Sequence, residues 1–302
     1  MLLRLAIPAL RHVPRVVVGS AMLWQTRPAH AAAIEPVPAL ETCAARSFEG
    51  QTYLVTGSSR GLGLEFARQL LERGANVVAT CRAPERAAAL AALAAEPGRG
   101  ARLRVEQLDT SDAQSIDACA ARLAADGVAL DGLVNNAGVA SKHHPVDPIS
   151  ERARFDGADA LDVLRVNVIG TILATNALLP LLAAKPGGAR TVVNLSSDLG
   201  SIENTFAAQS AKVRPGGVAS YRMSKAAQNM ATRVFAAELR EQGFVVVALS
   251  PGWVATDMGS SGGRTAPLTP RQSIAGMLDV ISRLQPSHTG LFLKYDATAL
   301  PF

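Results

Sequence analysis

Short apolar runs alternate with amphipathic stretches along most of the chain, from about Gln51 to Lys294. The apolar runs are rich in valine and leucine, which is typical of strands buried on both faces. The predicted strands are Tyr53–Thr56, Asn76–Thr80, Leu103–Leu108, Leu130–Asn135, Thr191–Ser197, Phe244–Leu249 and Leu291–Lys294. The stretches between them place apolar residues three and four positions apart, which predicts helices. These helices are Leu62–Arg73, Pro84–Ala95, Ser111–Ala125, Asp159–Ala184, Tyr221–Gln242 and Pro270–Leu284.

Strands and helices follow each other in alternation throughout this region. Parallel strands joined by helical crossovers form an open sheet that carries helices on both faces. We therefore predict an α/β protein with a single doubly wound parallel sheet, the Rossmann fold, over residues 46–302. The chain shows no internal repeat, and we expect no second domain.

The first 45 residues differ in composition from the rest of the chain. Four arginines and no acidic residue precede Glu35, and alanines and leucines separate them. This composition is typical of a mitochondrial transit peptide, with a secretory signal or a disordered extension as the alternatives. We expect a chain that begins near Arg46 to fold normally. A fluorescent fusion of residues 1–45 tests the mitochondrial location.

Charge, cysteine content and hydropathy narrow the classes of function. The net charge of +5 falls to +1 without the four arginines of the first 34 residues, so nucleic-acid binding has little support. The three cysteines have no Cys-x-x-Cys spacing, and His143 and His144, interpreted as exposed loop residues, show no acid–histidine spacing that supports a metal site. We therefore expect no disulfide framework and no metal site. No uninterrupted apolar run reaches the ~20 residues of a membrane-spanning helix, so we expect no integral membrane segment.

A glycine-rich turn follows the first predicted strand and precedes the first helix. Glycines there permit a tight turn and bring a diphosphate close to the helix N-terminus, whose free N–H groups favour anions. The same residues fit the Gly-x-Ser-x-Gly pattern of a hydrolase, with Ser59 as nucleophile and His288 as a possible triad partner. That pattern normally follows a strand in the middle of the chain, and it leaves Gly63 unexplained. The turn comprises Gly57, Ser58, Ser59, Arg60, Gly61, Leu62 and Gly63.

The end of the second predicted strand indicates the type of dinucleotide. A site for NAD usually has an acidic residue there, which binds the ribose 2′-hydroxyl. In this chain Cys81 and Arg82 occupy that position, and Arg60 lies in the glycine turn. Because guanidinium groups bind phosphate through paired hydrogen bonds, the two arginines favour the 2′-phosphate of NADP. The alternative is that Arg82 is a solvated residue at the start of a helix.

Tyr221 and Lys225 lie four residues apart and therefore on one face of their predicted helix. A neighbouring ammonium favours phenolate, so we expect Lys225 to lower the pKa of Tyr221. Tyr221 would then act as a general acid near neutral pH. A hydroxyl at the end of the preceding strand would hold a carbonyl oxygen beside the phenol. Without its context, such a pair is usually a chance pair on a solvated helix.

These motifs occur together and in order, and in this they resemble the classical short-chain dehydrogenase/reductase family over about Gln51 to Phe302. Within the family, the stretches Tyr221–Lys225 and Pro251–Met258 resemble the small carbonyl reductases of the sniffer and C-factor type. Besides the glycine turn, the residues that carry the resemblance are Asp109, Asn135, Asn136, Ala137, Gly138, Asn167, Ser197, Tyr221, Lys225, Pro251 and Gly252.

The resemblance implies a role for each matching position. Asp109 would bind the adenine amine, with a helix N-cap as the alternative. Asn167 would hold a water in a proton relay to Lys225, and Ser197 would polarise the carbonyl, while its neighbour Ser196 supports the backbone. Lys225 would bind the nicotinamide ribose. The other residues that would contact the cofactor are Asn136, Ala137 and Gly138 on the adenine side, and Pro251, Gly252, Val254 and Thr256 at the nicotinamide.

The activity that the resemblance implies is that of an NADPH-dependent carbonyl reductase. Hydride would pass from the nicotinamide to a small-molecule carbonyl substrate while Tyr221 donates the proton. A 3-oxoacyl-thioester or steroid-type reductase and a non-catalytic NADP-binding regulatory protein are the alternatives. We also expect a homo-oligomer, either a dimer or a tetramer.

One interval departs from the family pattern. Ser197 and Tyr221 are 24 residues apart, which is longer than the interval in classical members. We predict that the additional stretch, Ala207–Gly217, forms a loop over the substrate mouth, with an inert surface insert as the alternative.

Overall fold

The computed structural model describes residues 39–141, 157–185, 187, 190–206 and 218–302. Residues 1–38 of the predicted transit peptide and the predicted loop Ala207–Gly217 lie outside these ranges. The strands are β1 (Thr52–Val55), β2 (Asn76–Cys81), β3 (Leu103–Gln107), β4 (Gly132–Asn135), β5 (Thr191–Leu195), β6 (Val245–Ser250) and β7 (Phe292–Lys294). The helices are α1 (Gly61–Glu72), α2 (Ala88–Ala95), α3 (Ala113–Ala125), α4 (Gly157–Leu164), α5 (Gly170–Ala183), α6 (Ala219–Leu239) and α7 (Pro270–Arg283).

The seven strands form one parallel sheet in the order β3-β2-β1-β4-β5-β6-β7. In β1, β2, β4, β5 and β6, neighbouring residues enter two separate apolar clusters, as Val55 and Leu54 do in β1. Helices α1 and α7 contribute Phe66 and Ile274 to the first cluster, while α3, α5 and α6 contribute Ile116, Leu178 and Phe235 to the second. The predicted doubly wound sheet with helices on both faces is therefore confirmed.

The strand order reverses between β1 and β4. Chain connections leave these neighbouring strands toward opposite faces of the sheet, so a crevice opens beyond their carboxyl ends, where doubly wound folds bind ligands. The glycine turn after β1 and the segment Asn136–Gly138 after β4 both begin at this point.

The helix predicted over Asp159–Ala184 is interrupted by a π-helical turn at Arg165–Ile169, between α4 and α5. π-turns are single wide turns that are often found at functional sites, and this one has Asn167 at its centre. The whole helix Gly157–Ala183 has the length and apolarity of a membrane span, with a mean hydropathy of 1.7 in its most apolar window. Half of that window is buried inside the domain, as expected of a core helix.

Two predicted helices start later than the apolar pattern indicates. The segment from Pro84 first forms a 3₁₀ turn, Pro84–Arg86, before α2 begins at Ala88. Helix α3 begins at Ala113 because the side chain of Asp112 caps it, accepting a hydrogen bond from the Gln114 N–H at 2.9 Å. A local side-chain bond thus sets the start of α3.

The folded domain includes residues ahead of Arg46. Leu40 begins a 3₁₀ turn and is 5% exposed, and Cys43 is 4% exposed. The carbonyl oxygen of Cys43 accepts a hydrogen bond from Arg283 of α7 at 2.8 Å, and the Arg46 N–H donates to Ser282 at 2.8 Å. Residues 39–45, which composition assigns to the extension, therefore pack on the domain.

A chain that begins at Arg46 is expected to be less stable than one that begins at Ala39. The shorter chain lacks the buried side chains of Leu40 and Cys43, and loss of a large buried apolar side chain costs about 2–5 kcal/mol. For a domain of this size, 2 kcal/mol lowers the melting temperature by roughly 4–8 °C. Calorimetry of the two chains measures the difference, and equal melting temperatures would show that residues 39–45 do not contribute.

Candidate active site

The glycine turn after β1 is packed so tightly that two of its positions require glycine. Gly57 has a φ of +70°, and a Cβ there would lie 2.9 Å from the Cα of Ala137. A Cβ on Gly63 would lie 2.3 Å from the carbonyl oxygen of Gly57 and 2.5 Å from the Asn136 side-chain nitrogen. The first turn of α1 can therefore sit directly against the turn that precedes it.

Asn136 and Ala137, which follow β4, hold the glycine turn in place. The Asn136 amide donates hydrogen bonds to the carbonyl oxygens of Thr56 at 2.7 Å and Gly57 at 3.1 Å. The N–H of Ala137 donates to the Thr56 hydroxyl at 3.0 Å. Arg60 stands at the N-cap of α1 without a side-chain capping bond. The turn is thus rigid, and its helix start presents N–H groups to an anion.

The two arginines predicted to bind phosphate have different surroundings. Arg60 forms an ion pair with Asp257, and both side chains are largely exposed. An exposed pair of this kind contributes less than about 1 kcal/mol, so it can exchange for a phosphate at little cost. Arg82 is exposed at the end of β2, and within the described ranges only its main-chain carbonyl has a side-chain hydrogen bond, from Gln107 at 3.2 Å.

Asp109 shapes the loop after β3 and does not cap α3. Its carboxylate accepts hydrogen bonds from the N–H and the hydroxyl of Ser111 at 2.9 and 2.7 Å. The alternative interpretation of Asp109 as a helix N-cap is wrong, because Asp112 takes that position. A Cβ on Gly170 would lie 2.2 Å from the carbonyl oxygen of Thr110, so this loop packs closely on α5.

Ser197, Tyr221 and Lys225 come together at the carboxyl edge of the sheet. Ser197 follows β5, and its hydroxyl lies close enough to the Tyr221 hydroxyl to lower the pKa of that phenol. Tyr221 lies in the first turn of α6, and the Lys225 amine is 5.7 Å from the centre of its ring. The neighbouring Ser196 hydroxyl instead donates to Asn229 at 2.6 Å, which is the supporting role expected of it.

The pKa values of Tyr221 and Lys225 differ from the expected pattern. Burial raises the pKa of Tyr221 to about 12, the hydrogen bond from Ser197 partly offsets this, and the Asp198 carboxylate adds to it. Burial lowers the pKa of Lys225 to about 7. The expected lowering of the Tyr221 pKa by Lys225 is therefore wrong: burial dominates at both groups. The phenol keeps its proton at neutral pH, while Lys225 changes charge there.

Asn167 is held by the segment that follows β4. Its side-chain oxygen accepts a hydrogen bond from the N–H of Val139 at 2.8 Å. Its side-chain nitrogen donates to the Val139 carbonyl at 2.9 Å and to the Ser224 hydroxyl at 3.0 Å. A Cβ on Gly138 would lie within 4 Å of both Asn167 Oδ1 and Lys225 Nζ. The structure therefore brings Asn167 beside Lys225, and its relay role stays a prediction.

The segment after β6 meets the glycine turn across the crevice. A Cβ on Gly61 would lie 3.8 Å from the methyl group of Thr256. Gly252 has a φ of +72°, and the main chain of the preceding Pro251 accepts a hydrogen bond from Ser273 of α7 at 2.7 Å. Val254 is buried and pairs with Leu268. The residues predicted to contact the cofactor from this side therefore lie in a fixed segment at the crevice.

Sequence reasoning missed four polar residues that support the site, namely Ser250, Asp198, Gln228 and Thr171. Ser250 donates to the Asp198 carboxylate and accepts from the N–H groups of Asp198 at 3.1 Å and Gly252 at 3.3 Å. Gln228 and Thr171 are buried beside Lys225 and Asn167. Ser250 ends a strand, and Gln228 lies three residues after Lys225, so position alone could have indicated both.

The hydrolase alternative is wrong. His288 is buried ahead of β7, where its ring nitrogen accepts a hydrogen bond from the N–H of Gln285 at 2.9 Å. The hydroxyl of the next residue, Thr289, accepts a hydrogen bond at 3.0 Å from the N–H of Val246, near the start of β6. His288 therefore lies at the amino edge of the sheet, whereas Ser59 lies at the carboxyl edge. Within the described ranges, no group of three His, Cys, Asp or Glu side chains could hold a metal ion.

A parallel sheet with this order, a braced glycine turn and a Ser–Tyr–Lys group at its carboxyl edge define a dinucleotide-type oxidoreductase. The family model described as short chain dehydrogenase matches residues 51–266. The chain belongs to the short-chain dehydrogenase family and is an oxidoreductase of that type, as the resemblance indicated.

Known proteins of similar structure include carbonyl reductases. The NADPH-bound carbonyl reductase from chicken fatty liver has a TM-score of 0.74 and 34% identity, covering 88% of this chain and 98% of that one. Carbonyl reductase Sniffer of D. melanogaster has a TM-score of 0.71 and 32% identity, covering 84% and 100%. The C-signal protein of Myxococcus xanthus is 40% identical over 173 residues, which are 57% of this chain and 93% of its own length.

The buried Lys225 amine is expected to make stability rise with pH. Its pKa is about 7 in the folded protein, against an ordinary value of 10.5. Between these values the unfolded chain binds more protons than the folded one, so the free energy of unfolding increases with pH. From pH 7 to pH 9 this gain is about 2 kcal/mol. Urea denaturation of the wild type and of Lys225→Met measures it, and equal slopes in the two proteins would contradict a buried amine.

Proposed function

We propose that this protein is an NADPH-dependent reductase of small-molecule carbonyl compounds. The observation that carries the proposal is the Tyr221 hydroxyl, which lies beside the Ser197 hydroxyl and near the Lys225 amine and keeps its proton at neutral pH. A protonated phenol beside a hydroxyl is suited to receive a carbonyl oxygen between them, as carbonyl reduction requires.

The residues at the crevice fit a dinucleotide. The glycine turn closes on Ala137 at a distance that excludes any side chain, and the start of α1 is uncapped by a side chain, which suits a diphosphate. Arg60 and Arg82 supply cationic groups for a 2′-phosphate, and we propose NADP as the cofactor on that ground. The chicken carbonyl reductase, which binds NADPH, supports the choice.

When bound, the nicotinamide supplies the hydride, and this chain's residues handle the oxygen and the proton. Ser197 holds the carbonyl oxygen against the Tyr221 hydroxyl. Tyr221 gives its proton to that oxygen as the carbonyl carbon is reduced, which yields an alcohol and leaves a phenolate. The Lys225 amine lies close to the Tyr221 ring, and in its protonated form it stabilises that phenolate. Asn167 fixes the main chain of Val139 and thereby the segment that follows β4 at the crevice.

Two alternatives remain on the same scaffold. A 3-oxoacyl-thioester or steroid-type reductase would use the same chemistry on a different substrate. A non-catalytic NADP-binding protein would not need the Ser197 and Tyr221 hydroxyls side by side, which favours turnover. Oxidation of NADPH with a panel of aldehydes, quinones, diketones and 3-oxoacyl thioesters discriminates among these.

We further propose that the protein is mitochondrial and forms a homo-oligomer. The arginine-bearing segment before Glu35 supports the first proposal. The second is supported by apolar side chains exposed on neighbouring helices, Leu161 of α4 and Met230 of α6, which are 69% and 65% exposed. Light scattering of the purified protein determines the oligomeric state, and a monomer would contradict the proposal.

Tyr221→Phe is expected to lower kcat by about 10²–10⁴-fold, because it removes the proton donor. Its affinity for NADPH should remain within a few-fold of the wild type. The matched control is Tyr53→Phe, since that hydroxyl is bonded to Gln51 at 3.1 Å at the opposite end of β1. Steady-state kinetics and cofactor titration measure both properties. Turnover of Tyr221→Phe near the wild-type rate would refute Tyr221 as the donor.

Arg82→Ala is expected to weaken NADPH binding and leave NADH binding nearly unchanged, because NADH lacks the 2′-phosphate. Hydrogen bonds to a charged group contribute ~1.5–3 kcal/mol each, which is roughly a ten- to hundredfold change in Kd. The control is Arg86→Ala, whose exposed guanidinium faces Glu85 at 3.8 Å. Titration of both cofactors measures the change. Equal affinity of the wild type for NADH and NADPH would contradict the assignment.

A further inference from the structure

The Lys225 amine is buried and has two hydrogen-bond acceptors from the protein. Lys225 is 4% exposed, and its Nζ donates to the Leu195 carbonyl at the end of β5 at 2.6 Å. Its second acceptor is the side-chain oxygen of Gln228 at 2.9 Å. A buried amine depends on such partners, because burial disfavours its charged form.

Gln228 links Lys225 to the π-turn that contains Asn167. Gln228 is fully buried, and its side-chain nitrogen donates to the Thr171 hydroxyl at 2.9 Å. The Thr171 hydroxyl in turn donates to the main-chain carbonyl of Asn167 at 2.9 Å. Three successive hydrogen bonds therefore connect the amine of α6 with the centre of the π-turn, entirely through protein groups.

We propose that Gln228 is a positioning residue, which fixes the Lys225 amine beside Tyr221 and favours its protonated form through this chain of hydrogen bonds. The proposal rests on the function proposed above and deepens it. Because an acceptor binds an ammonium more strongly than a neutral amine, Gln228 favours the charge that Lys225 needs to stabilise a Tyr221 phenolate. The amide also fixes the direction of each bond, since its oxygen only accepts and its nitrogen only donates.

Among the described residues, the Lys225 amine donates hydrogen bonds to the Leu195 carbonyl and to Gln228, and Gln228 is the acceptor that belongs to a side chain. On α6, Tyr221 is the titratable neighbour, at 5.7 Å from the amine to the ring centre. The turn Asp198–Gly200 packs on the Lys225 stem at Gly200, and its Asp198 carboxylate is engaged by Ser250 and by Lys294 at 3.4 Å. From β5 and the π-turn helix, Lys225 meets the neutral groups Leu195 and Asn167.

Two substitutions at Gln228 separate positioning from packing. Gln228→Leu keeps the approximate volume and removes the acceptor, so the pKa of Lys225 should fall by about one pH unit or more. Gln228→Glu keeps the shape and adds a negative charge, so the same pKa should rise by about one pH unit or more. If Gln228 only filled space, Gln228→Leu would leave the pKa of Lys225 unchanged.

The titration of Lys225 can be observed directly, because the chain has only five lysines. Full-length protein labelled with ¹³C at the lysine ε-carbons gives few NMR signals, and Lys225→Arg identifies the one that belongs to Lys225. The control is Thr175→Val, which removes another fully buried hydroxyl one turn from Thr171. That variant should leave the Lys225 titration where the wild type has it.

Kinetics provide a second readout. With a carbonyl substrate and NADPH, Gln228→Leu is expected to lower kcat about tenfold, and the pH dependence of kcat should shift in the direction of its Lys225 titration. Gln228→Glu should shift that profile the opposite way.

A Lys225 titration that stays at the wild-type position in Gln228→Leu, or that moves in the same direction in Gln228→Leu and Gln228→Glu, would overturn the proposal. Gln228→Met, which also lacks the amide acceptor, carries the test if Gln228→Leu does not fold. The NMR titration needs neither substrate nor cofactor. A wild type that reduces no carbonyl would therefore refute the proposed function while the titration still decides the role of Gln228.

Discussion

The candidate site depends on the parallel pairing of β1 with β4, in the register Leu54 to Leu133 and Val55 to Val134. Parallel strands end at the same edge of a sheet, so the segments that follow β1, β4, β5 and β6 converge there. The bonds from Asn136 to the glycine turn form only in this register, because a slip of one residue would turn each side chain to the opposite face. The pairing of the strands therefore creates the crevice, and the individual side-chain contacts depend on that pairing.

The fold could be predicted from the sequence because it is encoded in periodic patterns. All seven strands and the helices between them were found, with ends displaced by up to four residues, in α3 because the side chain of Asp112 captures the helix start. A pattern of polar and apolar positions does not show where a side chain bonds to the main chain and delays the start of a helix. For the same reason the composition of residues 39–45 indicated an extension, although Leu40 and Cys43 are buried.

The proximity of Ser197, Tyr221 and Lys225 could be predicted from the sequence, but the pKa values of Tyr221 and Lys225 could not. Spacing places Lys225 one turn from Tyr221, and it says nothing of which atoms the amine contacts. Those contacts come from Leu195, 30 residues earlier in the chain, and from Gln228. The balance between burial and charge depends on that three-dimensional arrangement, so the expected direction of the Tyr221 pKa was wrong although the pair itself was correctly recognised.

The π-turn at Arg165–Ile169 holds one residue more than a regular α-helical turn would. Successive residues of a helix are rotated by roughly 100° about its axis. Deleting one residue here would restore regular helical geometry and rotate α4 by that angle relative to α5. Asn167 could then no longer meet the peptide of Val139 while Thr171 keeps its place. In this helix the site therefore constrains the number of residues more strictly than their polarity, so insertions and deletions should be harder to tolerate than substitutions.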